Sequence, residues 1–290
     1  MRRAEIFYEG LYFGEGPRWH DGRLWVSDFY AHAVVSIDPA GNPRTELELD
    51  DQPSGLGWLP DGRLLVVAMQ AMKVLRLDED GLKEHADVSH LSRHLCNDMV
   101  VDGRGRAWVG NFGFDLDAML RQVGPEEMIA KHPTTKLVRV DPDGSVHLAA
   151  DEMHFPNGSV VTPDGRTLIV AETLAMRLSA FDIEDDGSLS NRRVWAEIGL
   201  RAPDGICLDE DGNVWVANPM ARECVLVAPG GEILQTVETS QLCYACMLGG
   251  DEERTLYMIT APVSDSVEAA SGPRGRIETL EVATARAGYP

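Results

Sequence analysis

Glu15, Asn97, Asn157 and Asp204 are the residues of this sequence best placed for chemistry, because they share one position of a repeat. Six times along the chain a turn is followed by a β-rich run. The turns are Asp21-Gly22, Asp61-Gly62, Arg104-Gly105, Asp164-Gly165, Asp211-Gly212 and a degenerate Glu252-Glu253. Counting back about seven residues from each turn reaches Glu15 (one residue shorter), Ser54, Asn97, Asn157, Asp204 and Ala245. Around a common axis, the carboxylates and amides of this set would point into one narrow space. Carboxylates crowded together repel and are costly to bury unless something positive lies between them. A hard divalent cation resolves that conflict, and carboxylate plus amide oxygens are what Ca²⁺ or Mg²⁺ prefers. Each residue taken singly also reads as a turn former, since Asn-Gly and Asp-Gly pairs favour turns. Their recurrence at one repeat position is what points to a site.

The elements that must position these residues follow from the same repeat. Asp-Gly between apolar runs is a hairpin signal, because the turn needs positive φ and glycine supplies it. A second hairpin-like unit follows each of the first five, for example Val34 to Asp50 around Ala40-Gly41 and Lys136 to Asp151 around Asp143-Gly144. The sixth, Gly275 to Ala287, is cut short. Two hairpins make four antiparallel strands, and six such sets predict an all-β, six-bladed β-propeller. The outer strand missing from the last blade is expected from the N-terminal run Ala4 to Tyr8, which closes the ring and leaves the two chain ends side by side. Turn-to-turn spacing is about 40 residues, except between Arg104 and Asp164, which has roughly 20 extra. The surplus lies at about 112–133 and includes two short helical candidates, Asp117 to Arg121 and Glu126 to Ala130. A loop of that length inside a repeat reads as a lid or as a solvated excursion. No linker divides the chain, so residues 1–290 are expected to form one domain.

Composition removes several classes of function. The formal net charge of −21 argues against nucleic acid and against an anionic membrane surface. No apolar run approaches the roughly 18 residues of a membrane span. The basic N-terminus lacks the apolar core of a secretory signal. Five cysteines spread over 290 residues do not make a disulfide framework, which suggests a reducing cytoplasm. Cys243 and Cys246 form a CxxC, but strand alternation would put them on opposite faces. His85, His90 and His94 cluster without a zinc signature. No G-x-S-x-G is present to suggest a serine hydrolase.

Four motifs carry a family resemblance: Gly14-Glu-Gly-Pro-Arg-Trp19, Asn97-Asp-Met-Val-Val-Asp102 with Gly105-Arg-Ala-Trp-Val-Gly110, Phe155-Pro-Asn-Gly158, and Ala202-Pro-Asp-Gly205. The chain resembles the SMP-30/gluconolactonase/luciferin-regenerating-enzyme family of six-bladed propellers over nearly its whole length. The resemblance implies one divalent metal, Ca²⁺ first with Mg²⁺, Mn²⁺ or Zn²⁺ as alternatives. It implies Glu15, Asn157 and Asp204 as ligands, with Asn97 beside the metal or on the substrate. It also implies hydrolysis of a lactone or related ester of a small molecule, with Asp204 as general base. A carboxylate bound to a cation is a poor base, so this role needs a free oxygen on Asp204 or a neighbour such as Asp98 to share the proton. Sugar-lactone members carry an arginine two residues before the Asn97 position. Leu95 stands there in this chain, which points to a less polar substrate. Phe112, Phe114, His154 and Met220, with Leu95, are expected to rim the same mouth, although each also fits propeller packing. The same metal site could instead serve another bond, such as a vinyl ether, a phosphoester or a lyase substrate, or the propeller could bind calcium without turnover.

Overall fold

The computed structural model describes residues 2–290, and they form six β-sheets arranged as the blades of a propeller. Blade 1 is built from Gly14–His20, Arg23–Asp28, Ala33–Ile37 and Pro43–Glu48, ordered from the axis outwards. Blade 2 contains Pro53–Trp58, Leu64–Ala68, Lys73–Asp78 and Gly81–Asp87; blade 3 contains Cys96–Val101, Ala107–Asn111, Thr135–Val140 and Val146–Met153. Blade 4 contains Pro156–Val161, Thr167–Glu172, Arg177–Ile183 and Leu189–Glu197. Blade 5 contains Ile206–Leu208, Val214–Asn218, Glu223–Val227 and Ile233–Glu238. Blade 6 takes Leu242–Gly249, Thr255–Ala261 and Gly275–Glu281 from the end of the chain and its outer strand, Glu5–Leu11, from the beginning. The expected closure is therefore observed. Arg2–Arg3 adds a short parallel strand to the outer edge of blade 5.

Sequence and burial agree strand by strand. Leu64–Ala68 is apolar throughout and fully buried, because a second strand is covered on both faces by neighbouring blades. The outer strand Pro43–Glu48 is polar and largely exposed. Between blades the apolar side chains interdigitate: Leu65, Val67 and Val74 of blade 2 pack with Met99, Val101 and Val109 of blade 3. At the seam where the ring closes, Trp19 of blade 1 stacks on Tyr257 of blade 6, with ring centroids 5.6 Å apart. Among the described residues no helix is long and apolar enough to cross a membrane.

Two expectations need correction. The chain ends do not lie side by side. After Glu281 the C-terminal segment crosses the floor of the ring along the inner strands, whereas Arg2–Arg3 lies on the outer edge of blade 5. The Ala287 N–H donates to Leu208 O in blade 5 (3.0 Å), and Tyr289 exchanges two backbone hydrogen bonds with Val161 in blade 4 (2.7 and 2.9 Å). Cys243 and Cys246 do not fall on opposite faces either. A bulge between Cys243 and Ala245 breaks the alternation. Both thiols therefore face Cys224, and Cys207 Sγ lies 3.9 Å from Cys246 Sγ. All five cysteines are free and buried.

The inner strands approach one another very closely at the axis, and glycine permits it. A Cβ on Gly158 would lie 2.5 Å from Asp204 O, and one on Gly205 would lie 2.6 Å from Ala245 Cα. These glycines follow Asn157 and Asp204, so the Asn-Gly and Asp-Gly pairs here serve close packing rather than turns. Gly158→Ala is expected to overpack this contact at a cost of about 1–3 kcal/mol. The thermal midpoint should fall by several degrees, read by calorimetry beside Gly272→Ala, where a new Cβ meets no atom within 4 Å and the backbone is not left-handed.

Candidate active site

Every blade but the fifth shows the same irregularity at the start of its inner strand. The register with the second strand shifts between Glu15 and Arg18, Pro53 and Leu56, Cys96 and Met99, Pro156 and Ser159, and Cys243 and Ala245. The residue at each irregularity points to the axis. The register also corrects the sixth position. Gly158 N–H donates to Asp204 O (3.2 Å) and Gly205 N–H donates to Tyr244 O (2.9 Å), so Tyr244 is the equivalent of Asp204, and Ala245 is not. The error arose at Glu252-Glu253, where blade 6 lacks the Asp-Gly landmark used for counting. Around the axis the ring reads Glu15, Ser54, Asn97, Asn157, Asp204 and Tyr244.

These residues, Ser54 excepted, line a cavity of about 380 Å³ at the upper end of the channel. Glu15, Asn97, Asn157 and Asp204 form its polar floor, each less than a tenth exposed. A hydrogen-bond relay orients the two amides. Ser54 Oγ donates to Asn97 Oδ1 (3.3 Å), and Asn97 Nδ2 donates to Asn157 Oδ1 (2.9 Å). Asn157 Nδ2 donates to Thr173 Oγ1 (3.2 Å), and the Thr173 hydroxyl donates to Pro203 O (2.7 Å). Thr173 also lines the cavity, and its neighbour holds it in place. Glu172 is fully buried and accepts from His154 N, Arg177, Arg192 and the Ser179 hydroxyl. Thr173 escaped the sequence reading because it lies on the loop after a second strand, outside the inner-strand register.

The two carboxylates have no cation of their own. Burial holds the Glu15 carboxyl well above the usual carboxylate range, and the charges of Asp204 and Asp98 push it further. Burial and then the charge of Asp98 do the same to Asp204. The nearby guanidinium, Arg18, is committed elsewhere. It donates to Asp98 Oδ1 (2.8 Å), Leu56 O (3.0 Å), Pro17 O (2.7 Å) and Met99 O. Asp98 Oδ1 also accepts from Met99 N (2.7 Å). Among the described residues no group of three His, Cys, Asp or Glu side chains is gathered to hold a metal. The floor offers two carboxylates and draws its other oxygens from amides. That all-oxygen donor set, with buried negative charge left uncompensated, fits a hard divalent cation.

The walls are largely aromatic, with Gln52, His94, Asp115, Asp117 and Arg121 as polar lining. Phe13 packs against Phe29 and Tyr244, with centroids 5.4 and 4.8 Å away, and Phe112 packs on Phe155 at 4.5 Å. Leu95 and Phe112 line the cavity, as the sequence suggested. Phe114, His154 and Met220 are not among its lining residues. Phe114 packs under the insertion with Met128 and Leu174. His154 contacts His132, with Nδ1 2.8 Å from its Nε2. Met220 is 55% exposed, beside Pro219, which does line the cavity. The insertion is helical over Leu116–Lys131, with Asp115 as its N-cap, and is kinked at Gly124-Pro125 into the two expected pieces. It reaches across the ring to blade 6, where Ser266 Oγ donates to Asp117 Oδ2 (2.8 Å) and Arg121 lies 3.6 Å from Asp265.

Relieving the uncompensated charge should stabilise the metal-free fold. Asp204→Asn is expected to raise the thermal midpoint in chelator by several degrees. Adding Ca²⁺ should raise the wild-type midpoint, as a ligand selective for the folded state must, and should leave the variant's unchanged.

Comparison with known proteins gives the chain's family. Regucalcin of Danio rerio is 31% identical over 189 residues, an alignment spanning 63% of this chain and 60% of that protein. Pentonolactonase XacC of Haloferax volcanii is 27% identical over 269 residues, covering 89% of this chain and 85% of the relative. In overall shape the chain is similar to a calcium-binding protein, regucalcin, of Agrobacterium tumefaciens. The TM-score is 0.79 at 19% identity, over 99% of this chain and 96% of the other. The model of the SMP-30/gluconolactonase/LRE-like region matches residues 13–262, and the chain belongs to that family.

Proposed function

We propose that the protein is a divalent-metal-dependent hydrolase that opens a lactone or related ester less polar than a sugar lactone. The observation that carries this reading is the pair of buried, cation-free carboxylates Glu15 and Asp204, set with Asn97 and Asn157 beneath aromatic walls. The names of relatives support each half of it: a lactonase in Haloferax volcanii, and a calcium-binding protein in Agrobacterium tumefaciens. Glu15, Asn157, Asp204 and Asn97 would hold the ion, Ca²⁺ before Mg²⁺, Mn²⁺ or Zn²⁺. When bound, such an ion polarises the ester carbonyl and stabilises the charge that develops on its oxygen.

The chain's own residues supply the rest. Asp204 takes the proton of the attacking water. Its basicity is raised by burial and lowered by contact with a cation, and the balance between the two sets its competence. The Ser54–Asn97–Asn157–Thr173 relay fixes the amides, so their dipoles need no reorganisation during reaction. Leu95, Phe112, Phe155 and Tyr244 exclude water and hold the apolar part of the substrate. The helix Leu116–Lys131 acts as a lid, tethered across the mouth through Asp117 and Arg121.

The test is a panel of γ- and δ-lactones and simple esters, with and without chelator, beside Asp204→Ala. Turnover should vanish with chelator, return on adding a divalent ion, and fall by at least about a hundredfold in the variant. Turnover indifferent to both changes would overturn the proposal.

A further inference from the structure

Eight large apolar side chains are conspicuously exposed among the described residues, and their distribution is uneven. Ile6, Leu148, Val194 and Leu234 sit singly on outer strands of four different blades, as scattered surface residues do. Leu120, Leu200, Met220 and Val267 all lie on the face where the cavity opens. Three of them lie next to its lining residues in the chain or along the helix. Leu116 lines the cavity, and Leu120, 40% exposed, is one helical turn further along the same face. Pro219 lines it, and Met220 follows. Ser266 lines it, and Val267, 77% exposed, follows. The insertion and the top loops of blades 5 and 6 thus each set an exposed apolar side chain close to a cavity-lining residue, alongside the charged lining residues Asp117 and Arg121.

We propose that the substrate is an amphiphile, a lactone or ester whose apolar arm outgrows the cavity and leaves it over Leu120, Met220 and Val267. This rests on reading the cavity as the substrate site. The floor takes the polar head, because that is where the carboxylates and amides are. A cavity of about 380 Å³ is small for a ligand with a long arm. Phe13, Phe29, Phe112 and Phe155 give the arm an apolar path along the cavity wall. A solvent-exposed rim of this kind costs solubility unless something covers it, and its place at the mouth, where the insertion meets the blade 6 loop, points to the arm of the bound molecule as the cover.

The experiment reads binding, so that it does not depend on turnover. Cyclopentanones bearing 2-alkyl chains from ethyl to decyl, which resemble lactones but cannot be hydrolysed, are titrated calorimetrically into the full chain with calcium present. Kd should fall about threefold to fourfold per added methylene. The trend should continue into the longer members. In Leu120→Ser/Met220→Ser/Val267→Ser it should flatten for octyl and decyl while ethyl and propyl bind as in wild type. All three positions are at least partly exposed, so the variant should keep its fold. A series that levels off at short chains, or an octyl Kd unchanged in the variant, overturns the inference. So does sedimentation showing that the rim substitutions abolish a dimer while leaving the alkyl series intact. Failure of the matching alkyl lactones to hydrolyse would count against the proposed reaction alone, because the alkyl series is read without turnover.

Discussion

Glu15 and Asp204 share one buried floor, and neither has a positive partner. Much of the surrounding architecture is a response to that conflict. The inner strands press together through Gly158 and Gly205, which brings the two acids and two amides round the axis. Arg18 lies just below and would neutralise them if it were free. Its guanidinium is instead consumed by Asp98 and three carbonyls. The charge at the floor is therefore left for a ligand to settle. Walls of Phe13, Phe29, Phe112 and Tyr244 keep the local dielectric low, which strengthens any interaction made there.

Precision at the floor is supplied from some distance away. Asn157 is oriented by Thr173, and Thr173 follows Glu172, whose buried carboxylate gathers Arg177, Arg192, Ser179 and the backbone of His154. Burial raises the Glu172 pKa, but these donors outweigh it, and the net shift is downward. An ion cluster on the second, third and fourth strands of blade 4 thus fixes a side chain at the axis. Residues of this kind carry no recognisable motif, yet the geometry of the site depends on them.

The repeat made the propeller readable, because hairpin turns recur with the period of a blade and the apolar pattern between them has the strand period. The four acid and amide positions were readable for the same reason. What escaped was set by contacts without local signature. Tyr244 was missed by one residue, because blade 6 has no Asp-Gly to count from. Cys243 and Cys246 share a face only because a bulge intervenes. The bridge from Asp117 to Ser266 joins residues 149 positions apart, and nothing in either segment names the other. Phe114, His154 and Met220 belong to the right segments, but packing directs the first two beneath the insertion and its anchor, while Met220 reaches the rim.

The pairing of Glu5–Leu11 with Gly275–Glu281 has a consequence for how the molecule comes into being. During synthesis Glu5–Leu11 is made long before it can find its place, since its partner emerges some 270 residues later. Until then it is an unpaired edge, and Gly275–Glu281 becomes another when it appears. Exposed Glu5 and Glu9 guard the early strand against wrong pairing. Sealing the ring is a contact of very high sequence separation, of the kind that slows folding. Blades 1 to 5 can assemble as they are made, and the joint between the two ends of the chain converts an open stack of sheets into a closed one.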